Sequence, residues 1–106
     1  MPEDQSKRIT EVIDRPEQEL RRPPLFQVVL HNDDYTTMDF VVEVLEGVFL
    51  MHPAQAYRVM LAVHNQGRGV CGVYPYEIAE TKVGLVHRLA RDHGFPLMAS
   101  LEEVDA

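Results

Sequence analysis

Apolar and polar positions follow two different periods along this chain, and together they predict six elements after residue 24. Leu25 to His31 is rich in β-branched and aromatic residues and lies between a proline pair and Asn32, which is typical of a strand. A helical repeat of apolar positions begins at Met38. Thr36, with Asp39 three residues later, is the predicted N-cap of that helix. The apolar positions of this first helix are Met38, Val41, Val42, Leu45, Val48 and Phe49.

The second half of the chain repeats the same two periods. His52-Pro53 begins a second helix with proline in its first turn, and Gly67 is its predicted end. Residues 70–74 read as a strand, 77–93 as a third helix closed by Gly94, and alternation from Leu97 to Glu102 predicts a last strand. The order β-α-α-β-α-β predicts an α/β (α+β) fold, a small three-stranded antiparallel sheet with helices on one face.

Residues 1–24 differ from the rest of the chain. They contain Pro2, Pro16, Pro23 and Pro24 but few large apolar side chains, so burial could not offset the entropy of ordering them. We expect a flexible N-terminal tail over 1–24 and a folded domain over 25–106. A frayed terminus without a role is the alternative.

Charge and cysteine content narrow the classes of partner. The net charge of −7 and the sequence pI of about 5.1 argue against nucleic acid or an anionic membrane as partner. A single cysteine, Cys71, excludes an internal disulfide and suits a reducing compartment. The sequence lacks a secretory segment and an apolar run long enough to span a bilayer, so we expect a cytoplasmic protein.

The main group of polar residues that could bind a ligand lies where the first predicted strand ends. Asn32, Asp33 and Asp34 follow an apolar run and precede a helix N-terminus, which places carbonyl and carboxylate oxygens at the lip of an apolar surface. Such a lip suits a cationic group attached to an apolar one. The alternative is ordinary turn chemistry, because Asn and Asp side chains bond to their own backbone in turns.

His64 and Met60 lie one helical turn apart and therefore share a helix face. His64 could be a satisfied rim residue, or it could face the same opening as the acidic lip. Asp33, Asp34 and His64 could also ligate a metal, which leaves a metal-dependent hydrolase as an alternative, but no second His or Cys stands at ligand spacing. Cys71 lies mid-strand, where an inert buried thiol is expected. The residues therefore indicate no enzyme.

Five segments in register resemble the ClpS family, the bacterial adaptors that bring N-end-rule substrates to the Clp protease. The segments are Asn32-Asp33-Asp34-Tyr35-Thr36 with Met38, then Met60-Leu61-Ala62-Val63-His64, Val70-Cys71-Gly72-Val73-Tyr74, Ala79-Glu80-Thr81-Lys82-Val83 and Pro96-Leu97. The resemblance covers residues 24–104. It implies a domain similar to the C-terminal domain of the ribosomal stalk protein, without catalytic activity or a cofactor.

The resemblance also implies roles for particular residues. The α-amino group of a substrate would be bound by Asn32, Asp33, Asp34 and His64. The substrate's first side chain would enter a pocket walled by Leu30, Thr36, Met38, Val41, Met60, Val63 and Leu97. Glu77 and Lys82 match positions that dock on the N-terminal domain of the AAA+ unfoldase ClpA, and the tail would enter the unfoldase channel. We expect a monomer whose partners are this unfoldase and N-degron peptides, with no nucleic acid or membrane.

Two residues depart from the family pattern. Thr37 replaces a common proline, and His31 replaces an apolar residue on the strand face opposite to Leu30 and Asn32. Three interpretations thus stay open: a peptide-binding adaptor, a metal-dependent hydrolase using Asp33, Asp34 and His64, and a stalk-like interaction domain without a peptide pocket.

Overall fold

The computed structural model describes residues 23–104, which form six elements in the predicted order. They are β1 (Leu25–His31), α1 (Met38–Gly47), α2 (Pro53–Gln66), β2 (Arg68–Pro75), α3 (Tyr76–His93) and β3 (Met98–Val104). The predicted fold class and element order are therefore confirmed. The tail expected over 1–24 lies outside the described residues except for Pro23 and Pro24. No helix within 23–104 has the length and hydropathy needed to cross a membrane.

The sheet is antiparallel with strand order β2-β1-β3, so the first strand in the chain is the central one. Val28 and Leu30 of β1 point into the core, where side chains from all three helices cover them. The other face of the sheet carries polar cross-strand contacts. Glu102 accepts hydrogen bonds from Arg68 at 2.6 Å and from Gln27 at 2.9 Å.

Each helix buries a stripe of side chains in the core, as the apolar spacing predicts. The buried side chains are Phe40, Val41, Val44 and Leu45 of α1, Ala56, Met60 and Val63 of α2, and Ala79, Val86 and Ala90 of α3. Gly69 allows α2 to approach β2 closely, because a Cβ atom at this position would lie 2.8 Å from Val63 Cγ2 and 3.1 Å from the Val59 carbonyl oxygen. The elements that flank the predicted site are thus packed tightly together.

Several predicted boundaries differ from the structure. The N-cap of α1 is Thr37 rather than Thr36, because the Phe40 N–H donates to Thr37 Oγ1 at 3.1 Å. Strand β2 begins at Arg68 rather than at residue 70, α3 begins at Tyr76, and β3 begins at Met98, one residue after Leu97. Each difference is one or two residues at an element end.

The second and third helices end at the glycines that the sequence predicts, and the turn after α1 uses a different residue. Gly67 and Gly94 follow α2 and α3 with φ of 88° and 76°, in the left-handed region that glycine adopts at little cost. After α1 the left-handed residue is Leu50, with φ of 55°, and the Met51 N–H closes this turn by donating to the Leu45 carbonyl at 3.2 Å. The side chain of Leu50 is 78% exposed.

Two further features lie outside the predicted site. Strand β3 is an edge strand, and the N–H of its Ala99 donates to His87 Nε2 of α3 at 3.0 Å. Cys71 is buried as predicted, and burial raises the pKa of its thiol to about 12 against a smaller lowering by a backbone hydrogen bond at Leu30. The thiol is therefore protonated and unreactive at neutral pH.

Candidate functional site

The turn after β1 is built around the carboxylate of Asp33. Its Oδ1 atom accepts from the N–H groups of Tyr35 and Thr36 at 2.8 and 2.7 Å, and its Oδ2 atom accepts from the Thr36 hydroxyl at 2.6 Å. Thr36 is occupied by this turn, which explains why the neighbouring Thr37 caps the helix. The turn chemistry considered from the sequence is thus present, and it fixes the backbone between β1 and α1.

The hydrogen bonds to Asp33 also set its charge. Burial by itself would raise the pKa of this carboxyl group, but the bonds from the Thr36 hydroxyl, the Thr36 N–H and the Tyr35 N–H favour the charged form, and the pKa is lowered from 3.8. Asp33 is therefore a carboxylate at neutral pH. A carboxylate offers about four lone pairs, and three bonds come from the turn, so one acceptor position is left for a ligand.

A backbone hydrogen bond joins this turn to the end of α2. The N–H of Asn32 donates to the carbonyl of Gly67 at 2.9 Å, and Gly67 N–H in turn donates to Val63 at 3.0 Å. His64 precedes Gly67 by one helical turn and is exposed, as are Asn32 and Asp34. The bond holds the segment that carries Asn32 against the helix turn that carries His64, so the predicted amine-binding residues belong to two elements fixed to each other.

The seven residues predicted to line a side-chain pocket fall into two groups. Leu30, Val41, Met60, Val63 and Leu97 belong to one buried cluster. Thr36 is half-buried, and Met38, the first residue of α1, is 45% exposed. Met38 is therefore a surface residue at the start of α1, whereas the five apolar residues are buried in the core.

One cavity of about 230 Å³ lies between the end of α3 and the start of β3. It is lined by His87, Ala90, Arg91, Phe95, Pro96, Leu97 and Met98. Only Leu97 belongs to the predicted pocket. This cavity therefore does not correspond to the predicted pocket.

Glu77 and Lys82, the predicted docking residues, lie on α3 and are held differently. Glu77 is exposed in the first turn. Lys82 is half-buried, and its Nζ atom donates to the Val48 carbonyl at the end of α1 at 2.7 Å. The same atom lies 6.0 Å from the centre of the Phe49 ring and 5.7 Å from that of Tyr74. Sequence reasoning missed this contact, because it joins residues 34 positions apart.

His31 lies on the outer face of the sheet, opposite to Leu30, as strand alternation predicts. Its Nε2 atom lies 2.6 Å from Ser100 Oγ on β3. The contact between these two side chains joins β1 to β3 one residue before Asn32. The imidazole therefore points away from the buried cluster and supports the strand end from behind.

The structure gives no ligand set for the metal-dependent alternative. Within residues 23–104, no three His, Cys, Asp or Glu side chains are grouped so that they could hold a metal ion. Asp33, Asp34 and His64 in particular do not form such a group. Among the described residues, the segment after β1 is thus a turn built on a carboxylate and not a metal centre.

Comparisons with known proteins all point to one family. The family described as ATP-dependent Clp protease adaptor protein ClpS matches residues 21–100. The ATP-dependent Clp protease adapter protein ClpS of Nitratidesulfovibrio vulgaris (strain DSM 19637 / Miyazaki F) is 60% identical over 88 residues, which cover 83% of this chain and 88% of that protein. The protein of the same name from Shewanella piezotolerans is 49% identical over 98 residues, covering 92% and 96%.

A solved structure resembles the fold as well. The structure of Agrobacterium tumefaciens ClpS2 bound to L-phenylalaninamide matches with a TM-score of 0.76 at 43% identity, covering 78% of this chain and all of that one. The shared three-stranded sheet and helices account for this similarity.

Proposed function

Because this chain belongs to the ClpS family of Clp protease adaptor proteins, and is an adaptor rather than an enzyme, we propose that it binds the N-terminus of N-end-rule substrates and delivers them to a ClpA-type AAA+ unfoldase. The recognised elements are the free α-amino group and a bulky apolar first side chain. ClpS2 of Agrobacterium tumefaciens was solved with L-phenylalaninamide, a small molecule with both features. The proposal includes a monomeric adaptor that works in the cytoplasm without nucleic acid or membrane.

The observation that carries this proposal is the Asp33-centred turn bonded through Asn32 to the end of α2. An ammonium group has three donors and a positive charge. The acceptors would be the side-chain amide of Asn32, the carboxylates of Asp33 and Asp34, and the imidazole of His64. The hydrogen bond from the Asn32 N–H to the Gly67 carbonyl joins the two segments that carry them. The neutral imidazole can accept a hydrogen bond, and the carboxylates supply the compensating charge.

The first side chain of the substrate would enter between Met38 and Met60. Both thioethers are unbranched and flexible, so they can adapt to several bulky groups. Met38 at the lip would crowd a side chain that branches at Cβ but admit one that branches later. We therefore expect Leu, Phe, Tyr and Trp to be accepted and Ile and Val to be disfavoured, by about 1–3 kcal/mol.

Fluorescence anisotropy of labelled peptides that differ only in their first residue tests this recognition. Phe- and Leu-initiated peptides should bind, Ile- and Val-initiated peptides should bind at least about fivefold more weakly, and N-acetylation should abolish binding. Met38→Ala should narrow the gap between Leu and Ile. Equal affinity for Leu and Ile, or binding of the acetylated peptide, would contradict the proposed site, and a chain that binds no peptide would favour the stalk-like interpretation.

Delivery would use other parts of the chain than recognition. Glu77 and Lys82 would dock on the unfoldase, and residues 1–24 would engage the unfoldase channel. A chain that starts at Pro23 should bind Phe-initiated peptide and dock normally but fail to accelerate degradation of an N-end-rule substrate. Delivery by this shortened chain at the rate of the full chain would show that the tail has no such role.

A further inference from the structure

The cavity between the end of α3 and the start of β3 combines an apolar lining with two nitrogen-bearing side chains. Five of its seven lining residues are apolar, among them Phe95 and Leu97, and the other two are His87 and Arg91. Its volume of about 230 Å³ is smaller than the roughly 300–1,000 Å³ of sites for drug-sized ligands. The cavity therefore has room for one apolar side chain or a group of similar size.

A backbone hydrogen bond fixes which nitrogen of His87 carries the proton. The Ala99 N–H donates to His87 Nε2 at 3.0 Å, so this nitrogen is the acceptor and the proton of the neutral ring is on Nδ1. Nδ1 has no hydrogen-bond partner within residues 23–104, and no buried side-chain nitrogen in this range lacks one, so Nδ1 is accessible from solvent. His87 therefore lines the cavity with an N–H donor that the described residues leave available.

Arg91 is the second donor of the cavity. It follows His87 by four residues, so the two side chains are neighbours along one side of α3. Arg91 is exposed and forms no ion pair within residues 23–104. Arg88 adds a positive charge one turn before Arg91, whereas Asp92 directly follows Arg91 and therefore does not face it. The side chains next to the cavity thus favour an anion, although the whole chain is acidic.

The backbone at the end of α3 does not cancel this preference. Unpaired carbonyl groups at a helix C-terminus carry the negative end of the helix dipole and would repel an anion. The Ala90 carbonyl, however, accepts from the Phe95 N–H at 2.8 Å. The Arg91 carbonyl accepts from the Gly94 N–H at 3.1 Å. Because both cavity-lining residues of the last turn have paired carbonyls, the charged side chains dominate the local potential.

We propose that this cavity binds the C-terminal carboxylate of a peptide whose last side chain is apolar. The guanidinium group of Arg91 would form a charge-assisted pair with the carboxylate, which would also accept a hydrogen bond from His87 Nδ1. The last side chain would be buried against Phe95 and Leu97. A long acyl chain would not fit, because the cavity has room for only one side chain. This site shares only Leu97 with the pocket considered above, and its existence does not depend on recognition of a substrate N-terminus.

NMR titration of the isotopically labelled full chain tests the class of ligand. The probes are N-acetyl-L-leucine, N-acetyl-L-leucinamide, which lacks the charge, and N-acetylglycine, which lacks the apolar side chain. None of them has a free α-amino group. N-acetyl-L-leucine should shift the backbone amide signals of residues 95–99 and bind at least about tenfold more tightly than the other two probes. Equal affinity for the acid and the amide would overturn the proposal, as would shifts confined to the turn after β1.

A second set of probes identifies the source of the carboxylate. An N-acetylated peptide that ends in leucine with a free carboxylate should bind at least as tightly as N-acetyl-L-leucine. Octanoate has a carboxylate and an apolar chain but no peptide group, and it should bind more weakly. Tighter binding of octanoate than of the peptide would show that the cavity takes a fatty acid, and the proposal would be overturned.

Variants of the two donors test the assigned contacts. Arg91→Gln should weaken binding of N-acetyl-L-leucine at least about tenfold. Arg58→Gln is the matched control, because Arg58 is exposed on α2 and its replacement changes the net charge equally. It should leave the affinity unchanged. His87→Gln keeps an acceptor for Ala99 and a donor for the ligand, so it should lose less affinity than His87→Leu, which keeps neither.

Thermal unfolding of each variant shows whether a loss of binding reflects a loss of folding. Arg91→Gln should unfold at the same Tm as the parental chain, because Arg91 is exposed and unpaired within residues 23–104. Unchanged affinity in folded Arg91→Gln, or an equal loss of affinity in Arg58→Gln, would overturn the proposal. Equal affinities of His87→Gln and His87→Leu would remove His87 from the site and overturn the proposed two-donor contact.

Discussion

Two regions are proposed as contact surfaces, the turn after β1 and the exposed side of α3. Each contains one side chain that is hydrogen-bonded within the protein and one that is exposed. In the turn, both carboxylate oxygens of Asp33 accept internal hydrogen bonds, whereas Asp34 is exposed. On α3, Lys82 donates to the Val48 carbonyl, whereas Glu77 is exposed. Variants of the internally bonded residue should change stability and binding together, whereas variants of the free residue should change binding alone.

The largest effect is expected in the turn. Asp33→Ala removes three hydrogen bonds to a charged acceptor and should lower the free energy of unfolding by about 2 kcal/mol. Loss of its charge should also weaken binding of a Phe-initiated peptide at least about tenfold. Asp34→Ala is the matched control and should weaken peptide binding while changing stability by less than about 0.5 kcal/mol. Urea denaturation measures the free energy of unfolding, and fluorescence anisotropy measures peptide affinity. Equal destabilisation by Asp33→Ala and Asp34→Ala would contradict the predicted difference between the two residues.

The lowered pKa of Asp33 adds a pH test of the same contrast. A carboxyl group whose pKa is lower in the folded state contributes stability above its unfolded pKa and loses it as the pH falls through the folded value. Acidification below the usual 3.8 should therefore narrow the stability difference between the parental chain and Asp33→Ala. A difference that stays constant in acid would show that the bonds to Asp33 do not depend on its charge.

On α3 the expected effect is smaller. Lys82→Met keeps the apolar stem but loses the donor to Val48, and it should lower the free energy of unfolding by about 1 kcal/mol. Glu77→Gln should leave stability within about 0.5 kcal/mol of the parental chain. Both variants should weaken docking on the unfoldase. In Glu77→Gln the weaker docking would be a direct effect on the interface, because stability is unchanged, whereas in Lys82→Met it would also include the effect of lower stability. Unchanged stability in Lys82→Met would mean that its contact with α1 contributes nothing.

The smallest expected effect concerns His64, an exposed residue of the proposed peptide-binding site. A protonated imidazole has no acceptor and repels an ammonium group. Affinity for a Phe-initiated peptide should therefore fall as the pH is lowered. His64→Ala should lower the affinity and flatten this dependence without changing stability. A pH profile that survives the substitution would assign the effect to another group, and His31→Val would then be measured in the same way.

The sequence predicts the fold well because its signals are local. Apolar spacing gives all six elements in order, and Gly67 and Gly94 correctly end two helices. The errors arise where two residues compete for one role, as when Thr36 and Thr37 are both candidate caps and the choice depends on Asp33. The left-handed turn at Leu50 could not be predicted, since the sequence signal for that conformation is glycine or asparagine.

For the candidate site, the sequence indicates the residue types but not their arrangement. Family resemblance supplied Asn32, Asp33, Asp34 and His64, and these assignments stay predictions until ligand binding is measured. The Asn32–Gly67 and Lys82–Val48 hydrogen bonds join residues 35 and 34 positions apart. Such contacts depend on how the helices pack on the sheet, which apolar periodicity does not specify.

The hydrogen bond from Ala99 to His87 has a consequence for how copies of this protein meet one another. A three-stranded sheet has two open edges, and an open edge can pair with a strand of another chain, which leads to aggregation. At Ala99 the outward N–H of β3 is already bonded to an imidazole from α3. An incoming strand would have to displace His87 to form that rung of the ladder. The imidazole of His87 therefore hinders intermolecular strand pairing at this position of the edge.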